Sequence, residues 1–265
     1  MVDPGSEISA AALIIGNEML SGRTQDTNVQ TLARFLDPLG IDLREVRFVP
    51  DSQDQIVAAL NAMRARYTYV FTTGGIGPTH DDITADAIAA AFAVGIDFHP
   101  DALALLEARY GSDQFTPARR RMARIPAGAR LIANPVSIAP GFQIDNVFVL
   151  AGVPRIMRAM LDDVAPRLAR GQRRLVRSLT AQIGEGRIAL GLEAIQRTYS
   201  GVDIGSYPFF NDEKGVVLGG GSGASTTLVI SGRDLAAVEA ASAAVADMVR
   251  SLGVEPQDDA ACDRR

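Results

Sequence analysis

Asp81 and Asp82 follow a turn that holds three glycines in four positions, Gly74-Gly75-Ile76-Gly77. Glycines let a backbone take positive φ and approach a ligand closely, so successive amides can face an anion. A helical pattern starting at Thr84 adds the amides of a helix N-terminus, which also favour negative charge. Two carboxylates in the same turn would repel a bare phosphate. A divalent cation between carboxylate and phosphate removes that conflict, and all-oxygen ligands point to Mg²⁺, with Co²⁺ as the alternative. The chemistry read here is a metal-assisted phosphate site.

Each of these residues also has a plainer reading. The glycines can make a tight turn without a ligand, and Asp81, Asp82 or Thr84 can cap the helix. His80 can be structural and Glu18 a surface carboxylate. The turn lacks the glycine spacing of a dinucleotide fingerprint and the Gly-Lys-Ser/Thr of a P-loop. His80 and His99 have no evident nucleophile partner, so no Ser-His-Asp arrangement stands out. No zinc-like cluster is present, and nothing points to hydride transfer.

The surrounding pattern says how such groups are positioned. An apolar run at 10–15 reads as a buried parallel strand, and it ends in a turn at 16–25 that contains Glu18. Val29, Leu32, Ala33, Leu36 and Leu39 keep helical spacing, with Asp26 or Thr27 as the cap and Gly40 as the stop. A strand at 41–49 leads to Asp51, and Ile56, Val57, Leu60 and Met63 mark a second helix. A strand at 67–73 enters the glycine turn and a helix at 84–92 leaves it. This βαβαβα order implies a parallel sheet with helices on its faces. Glu18, Asp51 and the Asp81/Asp82 pair then each lie just past the carboxyl end of a strand, where open α/β sheets bind ligands.

Further on, 100–124 reads as helix broken near Gly111 and Pro117, followed by strands at 129–133 and 147–150 around a turn-rich 134–142. A helix is expected at 155–168. Arg119, Arg120, Arg121 and Arg124 make a basic helical face, either solvated or a phosphate clamp. A boundary near 170–174 separates a first domain, 10–170, from a smaller α+β domain, 171–254. The second holds strands at 175–183, 202–209, 216–218 and 226–231 and helices at 188–199 and 235–252, with Gly219 to Gly223 as a hairpin loop. Residues 1–9 and 255–265 read as a disordered and a polar tail.

With 265 residues, 47% of them hydrophobic, the chain can bury real cores. A net charge of -5 argues against a nucleic-acid backbone as partner. Cys262 is the single cysteine, which excludes a disulfide framework and a cysteine metal site. No apolar run approaches the roughly 20 residues of a membrane span, and residues 1–10 lack the pattern of a signal peptide. A cytoplasmic protein without membrane contact is expected.

Several motifs occur in a telling order: Gly16-Asn17-Glu18-Met19-Leu20, Asp26-Thr27-Asn28, Asp51, the turn Gly74-Gly75-Ile76-Gly77-Pro78-Thr79-His80-Asp81-Asp82-Ile83-Thr84, Asn134-Pro135, Ala139-Pro140-Gly141-Phe142 and Gly152-Val153-Pro154. Together they resemble the molybdopterin-binding (MoaB/Mog-type) domain of CinA, the competence/damage-inducible family, over roughly 10–168. The glycine turn with His80-Asp81-Asp82 is also similar to the molybdopterin-binding-like domain attached to eukaryotic FAD synthase. Gly205-Ser206-Tyr207-Pro208 resembles part of the small middle domain of CinA.

The resemblance implies an α/β fold, a three-layer, mostly parallel MoaB/Mog-like sheet with a second, smaller α+β domain. It implies a ligand that is either a pterin or an adenine-nucleotide pyrophosphate. Domains of the Mog type adenylylate molybdopterin, the CinA type splits ADP-ribose and the FAD-synthase type splits FAD. The expected function is a metal-dependent pyrophosphatase of ADP-ribose, FAD or a related adenine dinucleotide. Molybdopterin adenylyl transfer and a non-catalytic pterin- or nucleotide-binding module are the alternatives. On this reading Thr73, Gly74, Gly75, Gly77 and Thr79 bind substrate, while Glu18, Asp81 and Asp82 hold the divalent metal. Asp82 is catalytic, with Asp51 or His80 positioning the attacking water.

The resemblance also implies a homo-oligomer, dimer or trimer. No amidase domain like the one that ends full-length CinA is read here, so deamidation is not expected. Three departures stand out: Asn17 beside Glu18 where many relatives have Gly-Asp-Glu, Ala151 where Pro is common, and Ile156 where an acid is common.

Overall fold

Alternation between buried strands and amphipathic helices builds the first half of the chain. The computed structural model describes residues 7–210 and 224–258, divided into two units between Gln172 and Arg173. In the first unit β1 (Ser9–Ile15) is an interior strand with its last six residues all buried. A short α1 (Asn17–Leu20) and α2 (Asn28–Leu36) lead to β2 (Asp42–Val49), then α3 (Gln53–Arg64), β3 (Tyr69–Thr73) and α4 (Thr84–Phe92). β4 (Ile96–Phe98), α5 (Pro100–Tyr110), α6 (Pro117–Arg121) and β5 (Arg124–Pro126) form an excursion. β6 (Arg130–Ile132), β7 (Gly141–Ile144), β8 (Val147–Leu150) and α7 (Pro154–Val164) then complete the unit.

Its main sheet has six strands in the order β2-β1-β3-β8-β7-β6. β2, β1, β3 and β8 are mutually parallel, while β7 runs antiparallel to its neighbours β8 and β6. Apolar side chains cover both faces, as a parallel sheet requires. On one face Leu13 and Val70 pack with Ile56, Leu60 and Met63 of α3 and Ala87 and Ile88 of α4. On the other, Ile14, Phe71 and Phe148 pack with Leu32 and Leu36 of α2 and Met157 and Leu161 of α7. The helix after β1 therefore covers one face and the helix after β3 the other. The order 2-1-3 makes the gap between β1 and β3 the topological switch point, where doubly wound sheets hold ligands.

Local order departs from the sequence reading in four places. β7 occupies the end of the stretch expected to be turn, because Gly141 lets two strands close together: a Cβ there would stand 2.2 Å from the Val149 carbonyl oxygen. β4 and β5 pair antiparallel over three residues each, too short to show a period. Arg124 lies in β5, so it does not share a helical face with Arg119, Arg120 and Arg121. Ordered structure also extends into both expected tails: Ile8 is buried and Ser9 opens β1, while residues 257–258 pair with a strand of the second unit.

That second unit consists of β9 (Leu175–Ala181), α8 (Glu185–Thr198), β10 (Val202–Phe210), β11 (Ala224–Gly232), α9 (Leu235–Ser251) and β12 (Gln257–Asp258). Its sheet is antiparallel, in the order β10-β11-β9-β12. Ile188 of α8 and Val238, Val245 and Val249 of α9 close over Leu179, Leu228 and Ile230. The Asp234 side chain caps α9 by accepting from the amides of Ala236 and Ala237. The strand expected at 216–218, the loop from Gly219 to Gly223 and Cys262 lie outside the described residues. Among the described residues no helix is long and apolar enough to cross a membrane.

One polar strap fixes the edge of the main sheet. The buried Tyr67 hydroxyl donates to Glu45 Oε2 at 2.6 Å, and Arg47 donates to the other oxygen at 2.5 Å. The Tyr67 hydroxyl, then Arg47, hold the Glu45 carboxyl below its ordinary range. A depressed carboxylate contributes stability above its unfolded value and loses it as pH falls through the folded one. Tyr67→Phe is expected to cost about 1 kcal/mol at about pH 7, with the cost shrinking at about pH 3, as urea denaturation at the two pH values would measure.

Candidate functional site

Four loops leave the carboxyl ends of the parallel strands, and short contacts tie them into one edge. Gly16 donates its amide to the Val49 carbonyl at 3.1 Å, joining the loop after β1 to β2. Asp51, just past β2, accepts the Asn17 amide at 3.0 Å and so receives the start of α1. Gly74 donates to the Leu150 carbonyl at 3.3 Å, joining the loop after β3 to β8. Asn28, at the start of α2, reaches across with Nδ2 to the Gly152 carbonyl at 2.7 Å.

The glycine turn is fixed by exclusion as much as by bonding. Gly74 has φ +104, and a Cβ on it would lie 2.1 Å from the backbone oxygen of Ile15. Gly75 has φ +66, and a Cβ there would meet the Thr84 hydroxyl at 2.2 Å. That hydroxyl donates to the Gly74 carbonyl at 2.9 Å, while the Thr84 amide donates to the Gly75 carbonyl at 3.0 Å. α4 starts without a side-chain cap, so neither Asp81 nor Asp82 caps it. The first amides of a helix have no partner within it, so this end of α4 presents donors. Ala85 and Asp86 of that first turn line a narrow cleft together with Gly75, Ile76, Gly77 and Asp82. The cleft encloses about 20 Å³, little more than one water's space.

The two aspartates behave differently. Asp82 is half-buried and folds back over Gly77, where a Cβ would stand 2.6 Å from its Oδ2. Its Oδ2 accepts the Thr79 amide at 2.8 Å and the Thr79 hydroxyl at 2.5 Å. Asp81 is fully exposed, and the same Thr79 hydroxyl, then its own amide, hold its carboxyl below the ordinary range, with a smaller contribution from His80. The donors of the turn thus favour the charged form of Asp81.

The other expected site residues fall around this centre. Glu18 is exposed and folds over Gly16, where a Cβ would lie 2.5 Å from its carboxylate. Asp51 is half-buried beside α1. His80 is exposed and makes no hydrogen bond among the described residues. Thr79 is exposed at the turn, whereas Thr73, 1% exposed, lies beneath it with no partner for its hydroxyl among the described residues. Asp26, read as a cap, does accept the Val29 amide at 2.9 Å.

Sequence reasoning missed three residues: Asn28 as the clamp on Gly152, Thr84 as the latch on Gly74, and Asp86, which takes a bidentate bond from Arg124 at 2.7 and 2.8 Å. Asn28 stood in the sequence only as part of the motif Asp26-Thr27-Asn28, with no role of its own. Its partner lies 124 residues away, a separation that no local pattern reveals.

Among the described residues no three His, Cys, Asp or Glu side chains gather as a metal cage. Glu18, Asp81 and Asp82 therefore do not form a ready three-carboxylate site. The donor set nonetheless fits Mg²⁺, which commonly takes one or two carboxylates and completes its shell with substrate phosphate and water.

Comparison with known proteins adds to this geometry. The family described as probable molybdopterin binding domain matches residues 11–170, and that described as FAD synthase, middle domain, matches 173–258. The chain is similar to Protein Ta0487 of Thermoplasma acidophilum, 32% identical over 209 residues that cover 76% of this chain and 80% of the relative. It is 40% identical over 165 residues to a CinA-like protein of Citrifermentans bemidjiense, covering 60% of this chain and 40% of that one. A Caldivirga maquilingensis protein is 37% identical over 165 residues, covering 60% of this chain and 64% of the relative, so the chain matches less than two thirds of both. Among solved structures, the protein CinA with unknown function from Thermoplasma acidophilum superposes with a TM-score of 0.58 at 35% identity. That match covers 61% of this chain and 99% of that one.

The steric reading of the turn is testable. Gly74→Ala must both hold positive φ and push aside the Ile15 backbone, so it is expected to lower stability by about 3 kcal/mol or more. Gly128→Ala, also at positive φ but with nothing within 4 Å, should lose only about 1 kcal/mol. Urea denaturation of the two variants gives the comparison, and equal losses would contradict the close-approach argument.

Proposed function

The chain belongs to the probable molybdopterin binding domain family, and from that premise we propose that its first unit hydrolyses the diphosphate bond of an adenine dinucleotide such as ADP-ribose or FAD. The observation that carries this reading is the glycine turn beside the switch point, with the uncapped start of α4 and Asp82 lining one cleft and Asp81 exposed in the same turn. Amides presented in this way suit phosphate oxygens. Paired carboxylates in the same turn suit a phosphate that arrives with a cation, and would repel one that arrives bare.

Asp81 and Asp82 would hold that divalent cation, which when bound supplies charge neutralisation and polarisation of the phosphoryl oxygens. The amides of Gly75 to Gly77 would orient the diphosphate, with the exposed Thr79 at the rim of the same turn. Asp51 is better placed than His80 to orient the attacking water. One of its oxygens is fixed by the Asn17 amide, the other makes no hydrogen bond among the described residues, and its loop belongs to the tied edge. Water adds to one phosphorus, the bridging P–O bond breaks and the departing phosphate carries away the electron pair. Asp51 takes the water's proton. ADP-ribose would give AMP and ribose 5-phosphate, and FAD would give AMP and FMN.

A second reading, binding or adenylylation of a pterin, is favoured by the description of the family matched over 11–170. The match of 173–258 to a FAD synthase middle domain favours the nucleotide. The two readings share the phosphate seat and differ in what is attached to it.

Product analysis separates them. Incubation with ADP-ribose, FAD and NAD, each with Mg²⁺, Co²⁺ or chelator, is expected to release AMP from at least one compound only when metal is present. Asp82→Asn, which keeps an acceptor for Thr79, should lower that turnover about 100-fold or more without lowering the melting temperature. Absence of AMP under every condition would overturn the pyrophosphatase and leave the pterin reading.

A further inference from the structure

We propose that Arg121 is the cation that pairs with the ligand's phosphate at the mouth of the cleft, an inference that rests on the phosphate-seat reading. Four arginines cluster in this stretch, and three are already engaged. Arg119 lies 4.1 Å from the centre of the Tyr110 ring and donates to the Gln114 carbonyl at 2.7 Å. Arg120 sits over Phe98 at 5.3 Å. Arg124 is bound at both ends of its fork by Asp86. Arg121 is half-buried, lines the cleft with Gly75, Gly77 and Asp82, and makes no ion pair, hydrogen bond or ring contact among the described residues.

Charge balance in the cleft gives that arginine its role. Asp86 is neutralised by Arg124, so its carboxylate does not compete for Arg121. Asp82 turns its Oδ2 toward both donors of Thr79. What remains is one guanidinium, with five N–H donors in a planar fork that matches phosphate oxygens, beside a row of glycine amides.

The segment that carries it is anchored at both ends. Thr116 caps α6 by accepting the Arg119 amide at 3.3 Å, and the Arg124–Asp86 pair ties β5 to the first turn of α4. The side chain is thus held at the cleft while its head stays unengaged. An arginine in this place selects ligands that carry phosphate charge over neutral ones such as a free nucleoside.

Calorimetric titration of the full chain with ADP-ribose, inorganic pyrophosphate and adenosine, in Mg²⁺, tests the assignment. R121A is expected to weaken both diphosphates by about 10-fold or more and to flatten the salt dependence of binding, with adenosine unaffected. R121K should recover part of the loss, and both variants should melt with the wild type. Diphosphate binding by R121A equal to that of the wild type would overturn this inference alone. Equal weakening in R121A and R121K together with a lowered melting temperature would also overturn it, in favour of a packing role. Failure of the wild type to bind either diphosphate would overturn the phosphate seat, and this inference with it.

Discussion

The close approach of Gly74 to the carbonyl of Ile15 is the constraint on which the site depends. A backbone can come that near only where no side chain intervenes, so the loop after β3 is pressed onto the end of β1. Once there, the turn is held from three sides: by the Leu150 carbonyl, by the Thr84 hydroxyl and by Gly152, whose own carbonyl is clamped by Asn28. The crevice between β1 and β3 is a property of strand order. The glycines convert it into a seat lined by backbone amides.

Electrostatics then decides what the seat can take. An amide row and a helix start both favour an anion, while Asp81 and Asp82 bring negative charge to the same turn. The conflict is eased locally, because Thr79 donates twice to Asp82 and Arg124 neutralises Asp86. A bare anion would meet both aspartates, whereas one accompanied by a divalent cation would find in them its ligands.

Much of this was legible in the sequence, for identifiable reasons. The strands of the parallel sheet are buried on both faces, so runs such as 10–15 and 147–150 stand out as continuous apolar stretches. Glu18, Asp51 and the Asp81/Asp82 pair follow such strands directly, which placed them at one edge. What escaped depends on partners distant in sequence or on elements too short for a period. Asn28 finds Gly152, Arg124 finds Asp86, and β4 pairs with β5 over three residues. The four arginines read alike in sequence, and only the fold separates Arg121 from the three that are engaged. Thr73, expected to touch the ligand, lies under the turn because its strand position turns it toward the face covered by α2 and α7.

The central claim is that phosphate oxygens meet the amides of the glycine turn. Nitrogen-15 NMR of the labelled protein, titrated with ADP-ribose in Mg²⁺, tests it most directly. The account predicts that the largest amide shifts fall on Gly75, Ile76, Gly77 and the first turn of α4, and that Gly128 and the strands of the second unit stay still. Shifts centred elsewhere, or none at saturating ligand, would contradict it.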